Sequence, residues 1–308
     1  MRFLRNFLVN LYGKEGSDLK KIFKGDTIFR NCTYIILVVV FFITILPLLN
    51  LLSLSLSSPI AITKGLVTLW PVGLNFEPYK FVIGSAQFLK SFITSFIISG
   101  VGSIMGVFMC IALAYSLSKK DLPYRKMLTL LVIFTTMFNG GLIPTYMVVN
   151  KLGLLNSIWS IIFPSVLNVF NVLIAKSYFE SIPEEIEESA KIDGASTLSI
   201  LLKIILPISG PLIAILVLFY AVDFWNEYVS AKMYITSAAK MPLQLFLRTV
   251  IFDSGGTGFD LDANQMKYLN TNNITNAMIV SSMLPVIILY PFLQRFFIKG
   301  VTLGAVKG

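Results

Sequence analysis

Residues 177–207 read SYFESIPEEIEESAKIDGASTLSILLKIILP, a polar segment set between long apolar ones. The segment holds six of the chain's 16 acidic residues, and a proline ends it. Its charge density differs from everything around it, so we expect it to lie in water between two buried segments. It therefore marks a loop outside the apolar body of the protein.

The loop has the local signals of two short helices. Ser181 followed three residues later by Glu184 fits a capping box, and Pro183 suits a first helical turn. Gly194 is expected to end this helix, because glycine adopts the left-handed conformation without a Cβ penalty. A second helix then begins near Ser196 at a new angle. The sequence predicts a bent helix pair at a membrane surface.

Charge-free stretches flank this loop and recur along the chain. A helix needs about 20 apolar residues to cross a bilayer. The six stretches of suitable length are 31–63, 91–118, 127–150, 152–175, 204–222 and 268–294. Apolar residues make up 56% of the chain and charged ones 13%, against about 45–50% and about 25% in soluble domains. We expect an all-α polytopic membrane protein with six transmembrane helices, and a soluble globule is excluded.

Basic residues indicate the orientation of these spans. If the N-terminus is cytoplasmic, most of the 25 lysines and arginines fall in cytoplasmic segments, as the positive-inside bias requires. Both termini are therefore expected in the cytoplasm. We predict a leader over 1–30, a membrane domain over 31–299 and a tail over 300–308. The opening MRFLRNFLVNLYG predicts an interfacial helix in the leader, and a solvated leader is the alternative.

Several chemistries are excluded by composition. The chain has no histidine and two cysteines, which rules out a zinc site and histidine-based catalysis, and no metal site is expected. The net charge of +9 is scattered between apolar runs, so no nucleic-acid partner is expected. No G-x-x-x-x-G-K-[ST] phosphate loop occurs, so the chain should not bind ATP by itself and carries no predicted cofactor.

The second apolar stretch carries small residues at intervals of four. Such a pattern lets membrane helices approach closely, and it predicts a helix-packing seam. Its members are Ser99, Gly102, Ser103, Gly106, Cys110 and Ala114.

The loop resembles the EAA loop of ABC-importer permeases, written E-A-A-x-x-D-G-A and followed by I-x-L-P. The matching positions are Glu188, Ser189, Ala190, Asp193, Gly194, Ala195 and Pro207. Ser189 replaces the first alanine, a small-for-small change. The segments KDLPYRK, NGGLIPTYMVVNKLGLLN, FYAVDFWNEY and KGVTLGAVKG extend the likeness over nearly the whole chain. The sequence is similar to carbohydrate-type permeases of the maltose-transporter class, and within it to the subgroup that serves complex oligosaccharides and polysaccharide fragments, including uronic-acid-containing ones.

The resemblance implies a MetI-like fold in a bacterial cytoplasmic membrane and a non-catalytic transport role. The loop over 180–207 would be a coupling helix in a cleft of an ATPase subunit, with Glu188 as a polar contact, Gly194 as the bend, and Ala190 and Ala195 as close-packing positions. The implied partners are a second permease subunit, two ATPase subunits that carry ATP and magnesium, and an extracellular solute-binding protein. The tail over 300–308 would reach between the ATPase subunits.

Polar side chains inside spans are costly and usually face a bundle interior or a water-filled route. The candidates for lining a solute path are Asn139, Tyr146, Asn168, Asn171, Tyr220, Asp223, Trp225, Asn226 and Glu227. Amides and carboxylates can hydrogen-bond sugar hydroxyls, and aromatic faces can stack on sugar rings. Hydrogen bonds between helices and an aromatic belt at the membrane interface are the competing interpretations.

Two other functions remain open at this point. A self-sufficient ion-coupled secondary transporter would show acids inside span cores and often two related halves. Neither is evident in the sequence. A membrane scaffold would use the acidic loop as a docking site and transport nothing.

Overall fold

The computed structural model describes residues 16–138, 140–253 and 265–304, and the side chains of 31–138, 140–252 and 265–292. Within these ranges the chain is helical and has no β-strand. The helices are α1 Gly16–Ser55, α2 Pro59–Thr63, α3 Glu77–Gly84, α4 Ala86–Ser118, α5 Arg125–Met137, α6 Leu142–Lys151, α7 Trp159–Ser165, α8 Val169–Glu180, α9 Glu184–Ile192, α10 Thr197–Ile200, α11 Leu206–Ile208, α12 Gly210–Trp225, α13 Val229–Tyr234, α14 Leu243–Arg248 and α15 Thr271–Gly304. Short 3₁₀ turns cover Ala238–Lys240 and Gln265–Lys267, and π-helical turns cover Leu201–Ile205 and Thr249–Asp253.

Three helices are long and apolar enough to cross a membrane unbroken. Their apolar parts are Asn31–Ser55, Ala86–Ser118 and Thr271–Phe292. Three further segments meet the same length and composition test only as bent pairs, α5 with α6, α7 with α8, and Thr197–Ile208 with α12. The described chain therefore holds three spanning helices, or up to six when each bent pair is one span.

Each bent pair breaks at a local sequence signal. Gly141 precedes α6 at a φ of +85°, which glycine tolerates readily. The α7–α8 pair bends by 49°, and Asn168 caps the start of α8 inside the break. The 84° bend before α12 lies at Ser209, between Pro207 and Pro211, since proline lacks the N–H that an unbroken helix requires.

Helix α4 lies at the centre of the bundle and packs on α12 and α8. The predicted small-residue seam is confirmed. A Cβ atom placed on Gly102 would lie 2.7 Å from the Phe224 ring, and one on Gly106 would lie 2.6 Å from the Tyr220 ring. The hydroxyl of Ser99 donates to the Ala221 carbonyl at 2.8 Å and ties the same two helices together. The seam thus consists of aromatic rings of α12 seated on glycines of α4.

A second apolar cluster lies beside the C-terminal end of α12. Trp225 packs there with Phe88, Leu243 and Ile274, and its indole N–H donates to the Ser282 carbonyl at 3.2 Å. The cluster joins α12 to α15 and to the segment after residue 240. It fixes the rotation of α12, and thereby which side chains of its last turn face away from the core.

The first apolar stretch, 31–63, is not one helix. Helix α1 ends at Ser55, and the chain turns back before α2. The Ser58 N–H donates to the Val72 carbonyl at 3.1 Å, and the Asn75 N–H donates to the Leu56 carbonyl at 2.9 Å. The predicted first span is present as Asn31–Ser55, and these bonds fold 56–75 into a strap over the end of α1.

At its other end α1 runs through residue 30 without a break, so the division into a leader and a membrane domain falls inside a helix. The predicted interfacial helix over residues 1–13 and the last residues of the tail, 305–308, lie outside the described residues. The apolar side chains of α1 from Tyr34 to Ile43 are exposed, which suits a lipid environment.

Candidate functional site

The acidic loop forms the predicted bent pair, but its start differs from the expectation. Helix α9 begins at Glu184 directly after Pro183, with no side-chain cap. The Ser181 hydroxyl donates backward to the Tyr178 carbonyl at 2.7 Å. The predicted capping box is therefore wrong, because Ser181 closes α8 instead of opening α9.

The bend occurs where the sequence predicts it. Gly194 has a φ of +79°, and the Ala195 N–H donates across the bend to the Ala190 carbonyl at 3.0 Å. Ala190 is buried, as a close-packing position requires. The hydroxyl of Ser196 then accepts from the Ser199 N–H at 3.3 Å and caps α10. Local chemistry thus sets the angle between α9 and α10.

The outer face of the pair is exposed. Glu188, Ser189 and Asp193 are open to solvent, and the Ser189 hydroxyl donates to the Glu185 carbonyl at 2.8 Å. Two apolar side chains share this exposure, Ile192 at 86% and Leu198 at 64%. Exposed apolar side chains at a bend, rimmed by polar ones, form a surface on which a protein partner can bury area. Pro207 lies further along the chain, in α11.

Two ion pairs, one half-buried and one exposed, join α9 to the turn after α4. Lys119 pairs with Glu187, and Lys120 pairs with Glu184 at 2.6 Å. The hydrogen bond and the charge of Lys120 hold the pKa of Glu184 below its ordinary value. Glu184 is therefore ionised at neutral pH, and its pair is lost only as the pH falls through that lowered pKa.

A polar cavity of about 700 Å³ opens among α5, the α7–α8 break and the end of α12. Five of the predicted path residues line it, and they come from the break and from the last turn of α12. They are Asn168, Tyr220, Asp223, Asn226 and Glu227. Thr135 and Thr136 add hydroxyl groups from α5.

Asn168 shapes the wall of this cavity. Its side-chain oxygen accepts from the N–H groups of Phe170 and Asn171 at 3.0 and 3.3 Å, which caps α8. Its own N–H donates to the Tyr220 hydroxyl at 3.2 Å. Tyr220 is buried against Gly106 and also lines the cavity, so the seam between α4 and α12 borders the cavity directly.

Two carboxylates give the cavity its charge. Asp223 is exposed on the last turn of α12. Glu227 is half-buried and accepts from the Ser230 N–H at 2.8 Å, which caps α13. Asn226 lies between them and donates to the Val222 carbonyl at 3.0 Å. Among the described residues that line the cavity, none is basic.

Three of the four remaining predicted path residues lie outside the cavity lining. Asn171 is 1% exposed and packs inside the bundle, outside the cavity lining. Trp225 belongs to the second apolar cluster. Tyr146 stacks on Tyr234, with ring centroids 6.1 Å apart. Asn139 lies outside the described residues. In the described part of the chain no group of three His, Cys, Asp or Glu side chains could hold a metal ion.

Comparison with known proteins identifies the family. Residues 122–303, which include the bent loop and the cavity, match the family described as "Binding-protein-dependent transport system inner membrane component". The chain belongs to this family. It is a permease of the ABC-importer type, and the expectation drawn from the EAA loop is confirmed.

Two relatives of this permease come from Bacillus subtilis (strain 168). Protein LplC is 40% identical over 285 residues, 92% of this chain and 97% of that one. The "Polygalacturonan/rhamnogalacturonan transport system permease protein YtcP" is 38% identical over 284 residues, 92% of this chain and 99% of that one. The likeness thus spans about nine tenths of this permease.

A solved structure carries the likeness into three dimensions. It is the crystal structure of a bacterial ABC transporter involved in the import of the acidic polysaccharide alginate. One of its chains superposes on this permease with a TM-score of 0.81 at 31% identity. The superposition covers 89% of this chain and 98% of that one. The MetI-like helical fold of the permease is therefore shown.

Sequence reasoning missed two features of the permease. One is the exposed pair Ile192 and Leu198, which a helical projection of the loop would have placed outward. The other is the set of ion pairs between the basic turn 119–126 and the acidic segment 180–188. The opposite charges of the two segments could have predicted that they pair. The separation of about 60 residues along the chain prevented a prediction of which side chains pair.

Proposed function

We propose that this permease conducts oligosaccharides or polysaccharide fragments across the bacterial cytoplasmic membrane. The observation that carries the proposal is the polar cavity at the helix breaks. Its amide, hydroxyl and carboxylate groups lie at the end of α12 and in the α7–α8 break. Saccharide hydroxyls need such donors and acceptors, and helix breaks inside membranes occur where they line a polar route. The names of the relatives support the same substrate class.

The proposed topology has six spans with both termini in the cytoplasm. Each bent pair counts as one span in addition to the three long helices. The distribution of basic residues supports the orientation, since the leader and the turn 119–126 carry many of them. This places α9 and α10 on the cytoplasmic face and the cavity toward the outer half of the membrane.

ATP-driven coupling would act through the bent loop. We assign Glu188, Ser189 and Asp193 to contact with an ATPase subunit. Ala190, Gly194, Ala195 and Pro207 would hold the shape of the loop. ATP and magnesium would bind the ATPase subunits alone. The other proposed partners are a second permease subunit and an extracellular solute-binding protein, for which the segment 223–273 would provide a docking surface.

The test is purification from native membranes through a tagged copy of this permease. We expect a second permease and two ATPase copies in the complex. Reconstituted with the binding protein, the complex should take up labelled oligogalacturonides or neutral oligosaccharides only when ATP is supplied. A lone chain that transports in response to an ion gradient, without ATPase activity, would instead establish a secondary transporter. A stable complex with ATPase activity and no uptake of any saccharide would contradict the proposed substrate class.

A further inference from the structure

A charged cluster joins the cytoplasmic end of α4 to the bent loop, and we name it the clamp. It consists of Lys119, Arg125, Glu180 and Glu187. Lys119 donates to Glu187, and its ammonium lies 4.0 Å from the centre of the Tyr115 ring. The side chains of Lys119 and Glu187 are 28% and 14% exposed. The ammonium is thus held by a carboxylate on one side and an aromatic face on the other.

The second half of the clamp closes the end of α4 itself. The Arg125 guanidinium donates to Glu180 through one nitrogen and to the Leu117 carbonyl through Nε at 2.8 Å. Lys176 also donates to Glu180, at 2.7 Å. One carboxylate at the end of α8 therefore receives two cations. Arg125 links three chain segments, namely the last turn of α4, the start of α5 and the end of α8.

From the clamp a line of packed side chains leads to the cavity. Tyr115 is buried and meets Phe179 edge to face, with ring centroids 5.7 Å apart. Further along α4, Gly106 receives the Tyr220 ring. The Tyr220 hydroxyl accepts from Asn168 in the cavity wall. Close packing at these contacts transmits a displacement from one residue to its neighbours.

We propose that Lys119 is a positioning residue that makes α9 and α4 move as one body, while Arg125 holds the end of α4 on α8. Displacement of α9 then shifts the seam between α4 and α12 and changes the cavity. This inference rests on the proposed coupling role of the bent loop. Without the clamp, α9 would tilt on the turn 181–183 while α4 stayed in place. ATP would then be hydrolysed without a change at the cavity.

The neighbouring pair of Lys120 and Glu184 provides a matched control. It joins the same turn to the same helix, with the same charges, but its side chains are 72% and 60% exposed. Ion pairs between exposed side chains are screened by water and salt, so they hold the two segments in a defined geometry only weakly. Half-buried pairs are screened less. If coupling needs charge alone, both pairs matter equally. If it needs a fixed geometry, only the clamp matters.

The experiment measures uptake per ATP hydrolysed by the whole reconstituted importer. Lys119→Met is expected to lower that ratio by about fivefold with ATPase activity retained. Lys120→Met should leave the ratio within about twofold, because its pair is exposed. The swap Lys119→Glu with Glu187→Lys should recover at least half of the ratio, which a general loss of folding would not allow.

Several results would overturn the inference. One is an unchanged ratio in Lys119→Met, and another is an equal loss in Lys119→Met and Lys120→Met. If Lys119→Met does not assemble, the swap decides: recovery supports the clamp, and failure of an assembled swap overturns it. The variant Glu188→Lys tests the proposed coupling role of the bent loop separately from the clamp. If Glu188→Lys uncouples while the Lys119 variants do not, the loop couples without the clamp. If Glu188→Lys has no effect either, the coupling role itself fails.

Discussion

The seam between α4 and α12 and the bent loop of α9 and α10 are built in opposite ways. At Gly102 and Gly106 the seam has no room for a side chain, since both glycines lie against aromatic rings. The loop is open, and a Cβ atom added to Gly194 would meet nothing within 4 Å. Inside a bilayer, apolar attraction between helices is weak, so close fit holds them together. In water, charge and backbone conformation hold a loop. The seam therefore fails when volume is added, and the loop when a charge or a conformation is lost.

Adding volume to the seam is expected to have the largest effect. In Gly106→Val the new side chain would overlap the Tyr220 ring and separate α4 from α12. Overpacking costs about 1–3 kcal/mol, and more where the backbone cannot shift. We expect a lowered thermal midpoint in detergent and a reduced yield of assembled importer. Gly100→Ala on the same helix is the control, because its Cβ meets nothing within 4 Å. Equal stability of the two variants would contradict the difference drawn between seam and loop.

The bend of the loop comes next. Gly194→Val forces a β-branched residue to a φ of +79°, which costs about 1–3 kcal/mol of local strain without any clash. We expect the angle between α9 and α10 to change and uptake per ATP to fall by about tenfold, while membrane insertion is normal. Gly194→Asn should retain most activity, because asparagine tolerates the left-handed region. Normal uptake by Gly194→Val would show that the angle is not used.

The exposed apolar face predicts a more moderate effect. Ile192→Asp should weaken binding of the ATPase subunit by about 1.5–3 kcal/mol if the side chain is fully buried there. The permease alone should unfold at the same temperature as the wild type, since Ile192 is exposed in it. Retention of ATPase subunits during purification, compared with wild type at equal permease yield, gives the measurement. Unchanged retention would place the docking surface elsewhere on the loop.

The smallest effect is expected at the charge of the cavity. Asp223→Asn removes one exposed carboxylate and no packing contact, so stability should not change. Removing a negative charge near an anionic saccharide changes the interaction free energy by less than about 1 kcal/mol in a solvent-filled site. Uptake of oligogalacturonides should therefore rise by about twofold relative to a neutral oligosaccharide of equal length. An unchanged ratio would mean that Asp223 does not face the solute.

The candidate site could be predicted only in part. The bend at Gly194 was predictable, because glycine and a capping serine act on their own backbone. The predicted capping box is wrong, because the Ser181 hydroxyl donates to the Tyr178 carbonyl at the end of α8 and does not cap α9. Asn168 and Asn171 illustrate the same limit. Both were predicted to line the path, yet beside the 49° break Asn168 lies in the cavity wall and Asn171 lies in the core.

By itself the sequence determined the apolar stretches, the small-residue seam and the bent loop. Each depends on composition or on spacing within one element, where chain neighbours dominate. Tertiary structure alone decided which polar groups at the end of α12 face the cavity, and that Lys119 pairs with Glu187 and not with an acid nearer in the sequence. The direction of a side chain turns by about 100° with each helical residue. A small change in the bend or rotation of a helix therefore moves a side chain from the cavity wall into the core. Only packing against segments distant in sequence determines that bend and rotation.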